Sequence, residues 1–356
     1  MDDRSGERRA LMRLLAAGDK RTIDSLARDL GQSPARIEAG IRSLASQGFE
    51  IERSLQGLIR HPFAFEPLDR RRIQDALGEN ARRYLKDIEV HFEIDSTNRR
   101  SMDIARSGET LPLACLAEMQ SAGRGRNGRD FFSPLGGNLY LSLVATTTLE
   151  GASLSGLSPA IAVAVAGTVA CAGGAGAEVK IKWPNDIHAQ GRKIGGILIE
   201  SSRGSKGRFV IIGVGINLRL SPAVAEKIDQ PVGDLFSLLG GTPPRNAFAA
   251  RLIDALVEAL QRYERAGFEY FKDAFGELDL LAGKDIEVEG AGSRLRGRAS
   301  GIGENGALLV RVEEGKEPVA IVCGEVRAID AEAAKQPRGI RIRMAPSASP
   351  SQERPR

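Results

Sequence analysis

The chain contains 356 residues, of which 42% are hydrophobic and 27% charged, and its formal net charge is +4. This composition is typical of an ordinary globular protein of two or three domains, and the charge is too small to indicate a partner. Cys115, Cys171 and Cys323 lie in apolar runs far apart in the sequence, which predicts buried thiols in a reducing cytoplasm. Three histidines without a Cys/His cluster argue against a structural zinc site. The charged N-terminus predicts no secretory signal.

The first part of the chain is predicted to contain three short helices. A helix over 7–17 precedes a second one capped by Thr22, and Ser33 caps a third that has Pro34 in its first turn. Residues 49–60 then have room for a two-stranded wing. Two short helices joined by a glycine-containing turn are the helix-turn-helix pattern.

This pattern predicts that the third helix contacts DNA. Glu38 interrupts its outward face, and residues 1–65 carry only a small excess of basic over acidic side chains. The alternative is a module used only for protein contact or regulation. The predicted DNA contacts are Ser33, Arg36, Ala39, Arg42 and Ser43.

The next segment resembles a linker that leads into a strand and a ligand-binding corner. Residues 61–85 contain prolines and a basic run, and 90–94 form a predicted strand. Ser96, Thr97 and Asn98 follow at a strand-to-helix corner, where free N–H groups commonly contact ligands. Simple helix capping is the alternative there.

Residues 120–134 form a Gly/Arg loop in which Gly123, Gly125 and Gly128 alternate with Arg124, Arg126 and Arg129. Strands are predicted on both sides, over 113–119 and 138–146. Glycine allows close approach of the backbone to a ligand, and arginine suits phosphate or carboxylate. The loop therefore predicts a clamp on an anionic ligand. A solvated basic loop and a nucleic-acid grip are the alternatives.

The remaining elements alternate between sheet and helix. Residues 159–177 are apolar but contain Thr168 and a glycine pair, which favours a core helix over a membrane span. Strands are predicted at 179–183 and 208–218, and a helix at 246–265. Short strands separated by glycines over 284–330 predict a small barrel, and 331–356 a disordered tail.

Four motifs occur in a recognisable order. They are Ser96-Thr97-Asn98, the Gly/Arg loop, Lys182-Trp183-Pro184-Asn185-Asp186 with 192–200, and 213–217. Together they resemble the motif set of biotin–protein ligases over roughly residues 85–330. With the helix-turn-helix, the resemblance extends to the bacterial form that is both ligase and transcriptional repressor.

The resemblance implies an α+β fold with three domains. These are a winged helix-turn-helix at 1–65, a class II synthetase-like catalytic domain with a mixed sheet at 86–281, and an SH3-like barrel at 282–330. Residues 66–85 would be the linker and 331–356 the disordered tail.

The resemblance also implies the reaction. ATP would activate biotin as an acyl-adenylate, with Mg²⁺ on the triphosphate, and a lysine of the biotin carboxyl carrier protein would displace AMP. Arg126 and Lys182 would be catalytic, because cations offset repulsion between carboxylate and phosphate. Biotin would contact Ser96, Thr97, Asn98, Gln120, Arg124, Gly125, Arg126, Lys182 and Gly195. The nucleotide would contact Arg126, Arg129, Phe131, Lys182, Asn185 and Asn217.

Two departures from the family pattern stand out. Phe131 replaces the usual tryptophan, which loses an indole N–H, and the wing carries only Gly57-Leu58 where the family has a glycine–aromatic signature. The first bears on ligand affinity and the second on operator recognition. Asp186 either orients Lys182 or caps a turn, and His188 is predicted to be an exposed strand residue.

Two other functions stay open beside the ligase–repressor. One is a ligase with a vestigial winged helix, and the other is a ligase for a different cofactor acid such as lipoate. The expected partners are the carrier protein, operator DNA and a second copy of the chain in a ligand-dependent dimer. We expect a cytoplasmic protein that does not bind membranes.

Overall fold

The computed structural model describes residues 3–109, 111–173, 178–204, 207–221, 225–226, 228, 231–241, 243–290, 293–329 and 339–342. It begins with helices α1 (Asp3–Leu15), α2 (Ile23–Leu30) and α3 (Pro34–Ser46). Strands β1 (Glu52–Arg53) and β2 (Ile59–Arg60) follow and pair antiparallel. The predicted N-terminal helices are therefore present in the predicted order.

The ends of these helices are fixed by local hydrogen bonds. Thr22 accepts a bond from the Ser25 N–H at 3.1 Å, and Ser33 accepts one from the Arg36 N–H at 3.3 Å. Gly31 ends α2 with a φ of 62°, a left-handed conformation that glycine adopts without steric cost.

The N-terminal core includes residues from the following part of the chain. Phe92 and Leu135 are buried in the same apolar cluster as Phe49 and Phe65. The Leu135 N–H also donates to the carbonyl of Gln47 at 3.3 Å. The N-terminal unit is thus packed directly against the segment that follows the Gly/Arg loop.

The predicted linker contains two helices, α4 (Arg70–Ala76) and α5 (Glu79–Tyr84). Asp69 caps the first by accepting a bond from the Arg72 N–H at 3.0 Å. Ile73 and Ala81 are buried in the central core. Much of this segment is therefore part of the central domain and is not a free connection.

The central sheet is mixed. Its strands are β3 (Asp87–His91), β4 (Leu113–Ala117), β5 (Leu139–Thr146), β6 (Val179–Lys182), β7 (Asp186–Ala189), β8 (Arg192–Gly204) and β9 (Gly207–Ile216). They lie in the order β3-β4-β5-β9-β8-β7-β6, with β3 and β4 parallel and the other pairs antiparallel. This confirms the predicted mixed α+β fold.

Helices cover both faces of this sheet. They are α6 (Thr97–Ser107), α7 (Leu157–Gly173), α8 (Leu235–Leu239), α9 (Arg245–Ala266) and α10 (Lys272–Leu278). Alternate side chains of a strand point to opposite faces, so Ile212 joins the large core with α7 and α9, whereas Ile211 packs with Ile104 of α6. Helix α7 is the predicted core helix. Within the described residues, no helix has the length and apolar character to cross a membrane.

A second sheet follows α10. Its strands are β10 (Asp285–Gly290), β11 (Ser293–Ile302), β12 (Leu308–Arg311), β13 (Val319–Ile321), β14 (Glu325–Ala328) and β15 (Gly339–Ile342). They follow the order β13-β12-β11-β10-β14, with β15 on β11. No pairing between β13 and β14 closes the sheet in the part of the chain that is described, so the predicted barrel is not confirmed. Strand β15 lies within the predicted disordered tail; 331–338 and 343–356 are outside the described residues.

Two predictions about exposure were wrong. Cys115 is buried as expected, but Cys171 in α7 and Cys323, in the turn between β13 and β14, are exposed. His188 is partly buried, not exposed, and burial lowers its pKa. Apolar runs alone do not say which members of an element face the core.

Candidate active site

One pocket lies where the Gly/Arg loop, the start of α6, the central sheet and β14 meet. Its cavity measures about 310 Å³. Most of the residues predicted to contact a ligand line it: Ser96, Thr97, Asn98, Gln120, Arg124, Gly125, Arg126, Arg129, Phe131, Lys182 and Asn185.

A hydrogen-bonded network forms the polar wall beside α6. The Thr97 N–H donates to Gln120 Oε1 at 2.9 Å. The side chain of Gln120, from outside the helix, therefore binds a free N–H group at the start of α6. Ser142 Oγ donates to Asn98 Oδ1 at 2.6 Å, and Asn98 Nδ2 donates to Glu200 Oε2 at 2.8 Å. Ser96 is the N-cap residue, but its side chain makes no capping bond. This wall is held in one geometry before any ligand arrives.

The Gly/Arg loop forms a compact turn. The Gly125 N–H donates to the Arg129 carbonyl at 2.7 Å, and the Phe131 N–H donates to the Gly123 carbonyl at 2.8 Å. Asn127 and Gly128 have φ of 57° and 74° in succession, and glycine is the residue that enters this left-handed region most easily. The turn carries its arginines out to the pocket.

Each loop arginine contacts a side chain from a different element. Arg124 Nη1 lies 3.1 Å from Glu200 Oε1 of β8, and Arg126 Nη1 donates to Asn185 Oδ1 at 3.3 Å. Arg129 forms an ion pair with Glu325 of β14. Desolvation by burial lowers the pKa of Arg126. These contacts place three guanidinium groups around one cavity.

Lys182 is the cation at the sheet side of the pocket, at the C-terminal end of β6. Among the described residues, no carboxylate oxygen lies within 4.0 Å of its ammonium group, and burial lowers its pKa although Asp186 acts in the opposite direction. A partly desolvated cation without a close counter-charge interacts strongly with an anion that enters the pocket.

Asp186 neither pairs with Lys182 nor caps a turn with its side chain. Its Oδ1 lies 2.8 Å from Lys193 Nζ of β8, across the β7–β8 pairing. Asp186 is therefore paired with Lys193, and its charge also acts on Lys182, whose pKa it raises against the effect of burial. Lys193 also lines the pocket.

Two glycines in β9 make room for side chains. A Cβ at Gly213 would overlap Asn98, and one at Gly215 would lie 2.5 Å from the ring of Phe131. The sequence suggested that these glycines admit the ligand itself. Both glycines line the pocket, and the space at each is also used by a neighbouring pocket residue. Phe131 packs edge-on against Tyr140 with ring centroids 6.4 Å apart.

Two predicted contacts lie outside the pocket lining. At Gly195 a Cβ would lie 2.6 Å from the Gly215 carbonyl oxygen, so this glycine serves strand packing, and its neighbour Gly196 faces the cavity. The Asn217 side chain donates to the Gly233 carbonyl at 3.1 Å. The structure therefore does not place Gly195 or Asn217 with the other candidates.

Several pocket residues were missed from the sequence. Glu325 and Arg327 come from the second sheet, and Tyr140 from the start of β5. Glu325 also accepts a bond from Asn127 Nδ2 at 3.1 Å. The local sequence around Glu325 and Arg327 does not indicate a ligand site, because the position of these two residues depends on how the second sheet packs beside the loop.

One group outside the pocket brings possible metal ligands together. Glu89, His91 and Cys115 place donor atoms within 4.8 Å of one another. However, Glu89 already accepts bonds of 3.0 and 2.8 Å from the Arg100 guanidinium, and burial raises the pKa of the Cys115 thiol. A paired carboxylate and a protonated thiol are poor metal ligands.

The predicted DNA contacts lie on α3, away from the pocket. Arg36, Ala39 and Arg42 are exposed there, and Ser43 is partly buried. Ser33 is the N-cap of the helix.

Known proteins resemble both the sequence and the fold. Residues 92–217 match the biotin/lipoate A/B protein ligase family. The chain is 33% identical to the bifunctional ligase/repressor BirA of Salmonella typhimurium over 304 residues, which covers 84% of this chain and 91% of that protein. It is 31% identical to the biotin–[acetyl-CoA-carboxylase] ligase of Mycobacterium tuberculosis over 264 residues, covering 73% and 95%.

A solved structure agrees with these relatives. The biotin protein ligase from Aquifex aeolicus in complex with biotin and ATP superposes with a TM-score of 0.56 at 25% identity, covering 69% of this chain and 100% of that one. The chain therefore belongs to the biotin/lipoate A/B protein ligase family and is a biotin ligase.

Proposed function

We propose that this ligase joins biotin to ATP as biotinyl-5′-AMP, with release of pyrophosphate, and transfers the biotinyl group to a lysine of a biotin carboxyl carrier protein. The observation that carries the proposal is the convergence of Arg124, Arg126, Arg129 and Lys182 on one pocket with a polar wall. The name of the M. tuberculosis relative supports acetyl-CoA carboxylase as the acceptor.

The pocket suits the first step because that step brings two anions together. A carboxylate oxygen attacks the α-phosphorus, a P–O bond to the β-phosphate breaks, and pyrophosphate leaves. Lys182 and Arg126 both line the pocket, and as cations they would neutralise the carboxylate and the α-phosphate, which lowers the cost of bringing these two anions together. In the second step the acceptor amine attacks the acyl carbon, and AMP leaves.

Mg²⁺ would enter with the ATP substrate. Of the carboxylates that line the pocket, Asp186 and Glu325 are already paired with Lys193 and Arg129, so these two residues do not offer a cation site of their own. The ion is better held by the triphosphate oxygens and water.

The main test compares possible acids. Pyrophosphate release in the presence of ATP should depend on biotin, and lipoate and octanoate should support less than about a hundredth of that rate, as a pocket with fixed polar partners discriminates strongly. The biotinyl group should then appear on a biotin carboxyl carrier domain, but not on a variant of that domain in which the acceptor lysine is replaced by arginine. Equal rates of pyrophosphate release with lipoate and with biotin would contradict the proposed specificity and favour a lipoate ligase.

We also propose that the N-terminal unit is a winged helix-turn-helix that binds operator DNA and represses transcription. The relative from S. typhimurium is named a ligase/repressor. Helix α3 begins at a capped N-terminus and presents Arg36, Ala39 and Arg42 on its exposed side, beside the β1–β2 hairpin. A vestigial winged helix is the alternative.

The charges of this unit predict weak binding by one copy. Arg36 pairs with Glu7. Arg42 and Arg53 lie 3.8 and 2.6 Å from the same carboxylate oxygen of Glu38. Phosphate must compete with these carboxylates, so each copy neutralises few phosphates. Useful affinity then requires two copies on a two-fold site, which agrees with a ligand-dependent dimer.

The repressor proposal predicts a ligand-dependent and salt-dependent DNA complex. Anisotropy titrations with DNA from upstream of biotin-synthesis genes should show tighter binding when biotin and ATP are present. The Arg36→Ala/Arg42→Ala variant should bind DNA about tenfold or more weakly, with a shallower salt dependence and normal ligation. Arg71→Ala, at an exposed position of α4, should change neither DNA binding nor ligation. Absence of ligand-dependent binding at low salt would leave a ligase with a vestigial domain.

A further inference from the structure

Arg245 and Glu118 form a buried ion pair behind the pocket. Arg245 lies in the first turn of α9, and each of the two residues is only 1% exposed. Their Nη2 and Oε2 atoms are 2.9 Å apart. Neither residue lines the pocket. Burying two charges is costly and is tolerated where additional hydrogen bonds satisfy them, so the partners of this pair indicate what it holds.

The Arg245 guanidinium binds backbone from two other segments. Nη2 donates to the Asn138 carbonyl at 2.6 Å, and Nη1 donates to the Glu66 carbonyl at 2.8 Å. Glu118 Oε1 accepts the Leu68 N–H at 2.6 Å. Glu118 precedes the Gly/Arg loop by two residues, and Asn138 follows its last residue by four. One ion pair therefore joins both ends of the loop to the segment that arrives from the N-terminal unit.

Short contacts connect these two ends to the ligand wall. After Glu118, Gln120 binds the Thr97 N–H at the start of α6. On the other side, Asn138 Nδ2 donates to the Tyr140 hydroxyl at 3.3 Å, and that hydroxyl donates to the Pro134 carbonyl at 3.1 Å. Tyr140 and Gln120 both line the pocket. A shift of either end of the loop would therefore displace residues that face the ligand.

We propose that Arg245 and Glu118 are positioning residues for the Gly/Arg loop. They hold its two ends at a fixed separation, so that the three loop arginines close over the bound acyl-adenylate without first ordering the base of the loop. The proposal deepens the proposed function and rests on it for the identity of the ligand. The pair acts through Gln120 and Asn138 and does not touch the ligand itself.

The test removes both charges together, because a single neutral substitution leaves an uncompensated buried charge and threatens the fold. The full-length Glu118→Gln/Arg245→Met variant should keep a melting temperature near that of the unsubstituted protein. Biotinyl-5′-AMP should dissociate about tenfold faster or more, and KM for biotin should rise by a similar factor with kcat reduced less than about threefold. Arg245→Lys keeps the charge but cannot reach both carbonyls. Its adenylate dissociation rate and its KM for biotin should lie between those of the unsubstituted protein and the double variant.

Asp254→Asn is the matched control. Asp254 lies on the same helix and accepts the Gly78 N–H at 3.0 Å, so the variant loosens the contact between α9 and the linker helices without touching the loop. It should leave adenylate dissociation and KM unchanged. A double variant that matches the unsubstituted protein in both quantities would show that the ion pair is only structural.

Trypsin cleavage without ligand tests the pair separately from the reaction. Cleavage after Arg124, Arg126 or Arg129 should be about tenfold faster in the double variant, because the base of the loop opens more often. Cleavage after Arg203 should not change. Its side chain is 72% exposed, and it lies at the C-terminal end of β8. Equal loop cleavage in both proteins would overturn the positioning role even if the ligand identity were wrong; failure to release pyrophosphate with biotin would overturn only the proposed function.

Discussion

Replacing Lys182 with alanine should slow biotin-dependent pyrophosphate release by roughly 30- to 1,000-fold, or about 2–4 kcal/mol of barrier. Lys182 lies at the end of β6 on the pocket wall, and burial has already lowered its pKa. Loss of this desolvated cation leaves the carboxylate and α-phosphate less well screened from each other. The measurement is single-turnover pyrophosphate release at saturating biotin and ATP.

Lys180→Ala provides the matched control for this prediction. Lys180 lies two residues earlier on the same strand, and its ammonium donates to the Glu277 carbonyl at 3.1 Å, away from the cavity. It should retain near-normal turnover. If Lys182→Ala also retained it while both variants stayed folded, Lys182 would have no part in the chemistry.

Arg126→Gly should weaken retention of the adenylate more than its synthesis, with dissociation about tenfold to a hundredfold faster. Arg126 contacts Asn185 across the pocket at 3.3 Å, and glycine removes the guanidinium while increasing the freedom of the loop. The variant should then release activated biotin into solution, where it acylates lysines of unrelated proteins. Streptavidin blots of a mixture of such proteins would reveal that labelling.

Two further variants separate the causes of this leakage. Arg126→Ala removes the charge without the added backbone freedom, and Arg203→Gly adds a glycine at an exposed site away from the pocket. Arg126→Ala should release most of the activated biotin that Arg126→Gly releases, whereas Arg203→Gly should release none beyond that of the unsubstituted protein. Labelling confined to the carrier domain in Arg126→Gly would contradict the retention role.

Local sequence patterns predicted the helices and strands and most of the residues that line the pocket. Thr22 and Ser33 cap their helices because a short side-chain oxygen satisfies a free N–H of the next turn. The long apolar runs of β9 and α7 predicted elements buried in the core, and most residues of β9 and many of those of α7 are buried. The Gly/Arg pattern alone left other uses open, and it was together with the other motifs, in their order, that it and Lys182 resembled the motif set of biotin–protein ligases.

Tertiary structure decided the contacts between distant segments. The ion pairs Asp186–Lys193, Arg129–Glu325 and Arg245–Glu118 join residues from separate elements, and none has a local signature. The partner of a charge depends on strand register and on the docking of the second sheet. Gly195 and Asn217 show the same dependence, since each lies in a recognised motif but neither lines the cavity. Gly195 lies close to the Gly215 carbonyl, and the Asn217 side chain donates to the Gly233 carbonyl. Composition and periodicity describe the surroundings of a residue along the chain, whereas its neighbours in space are set by the packing of the whole domain.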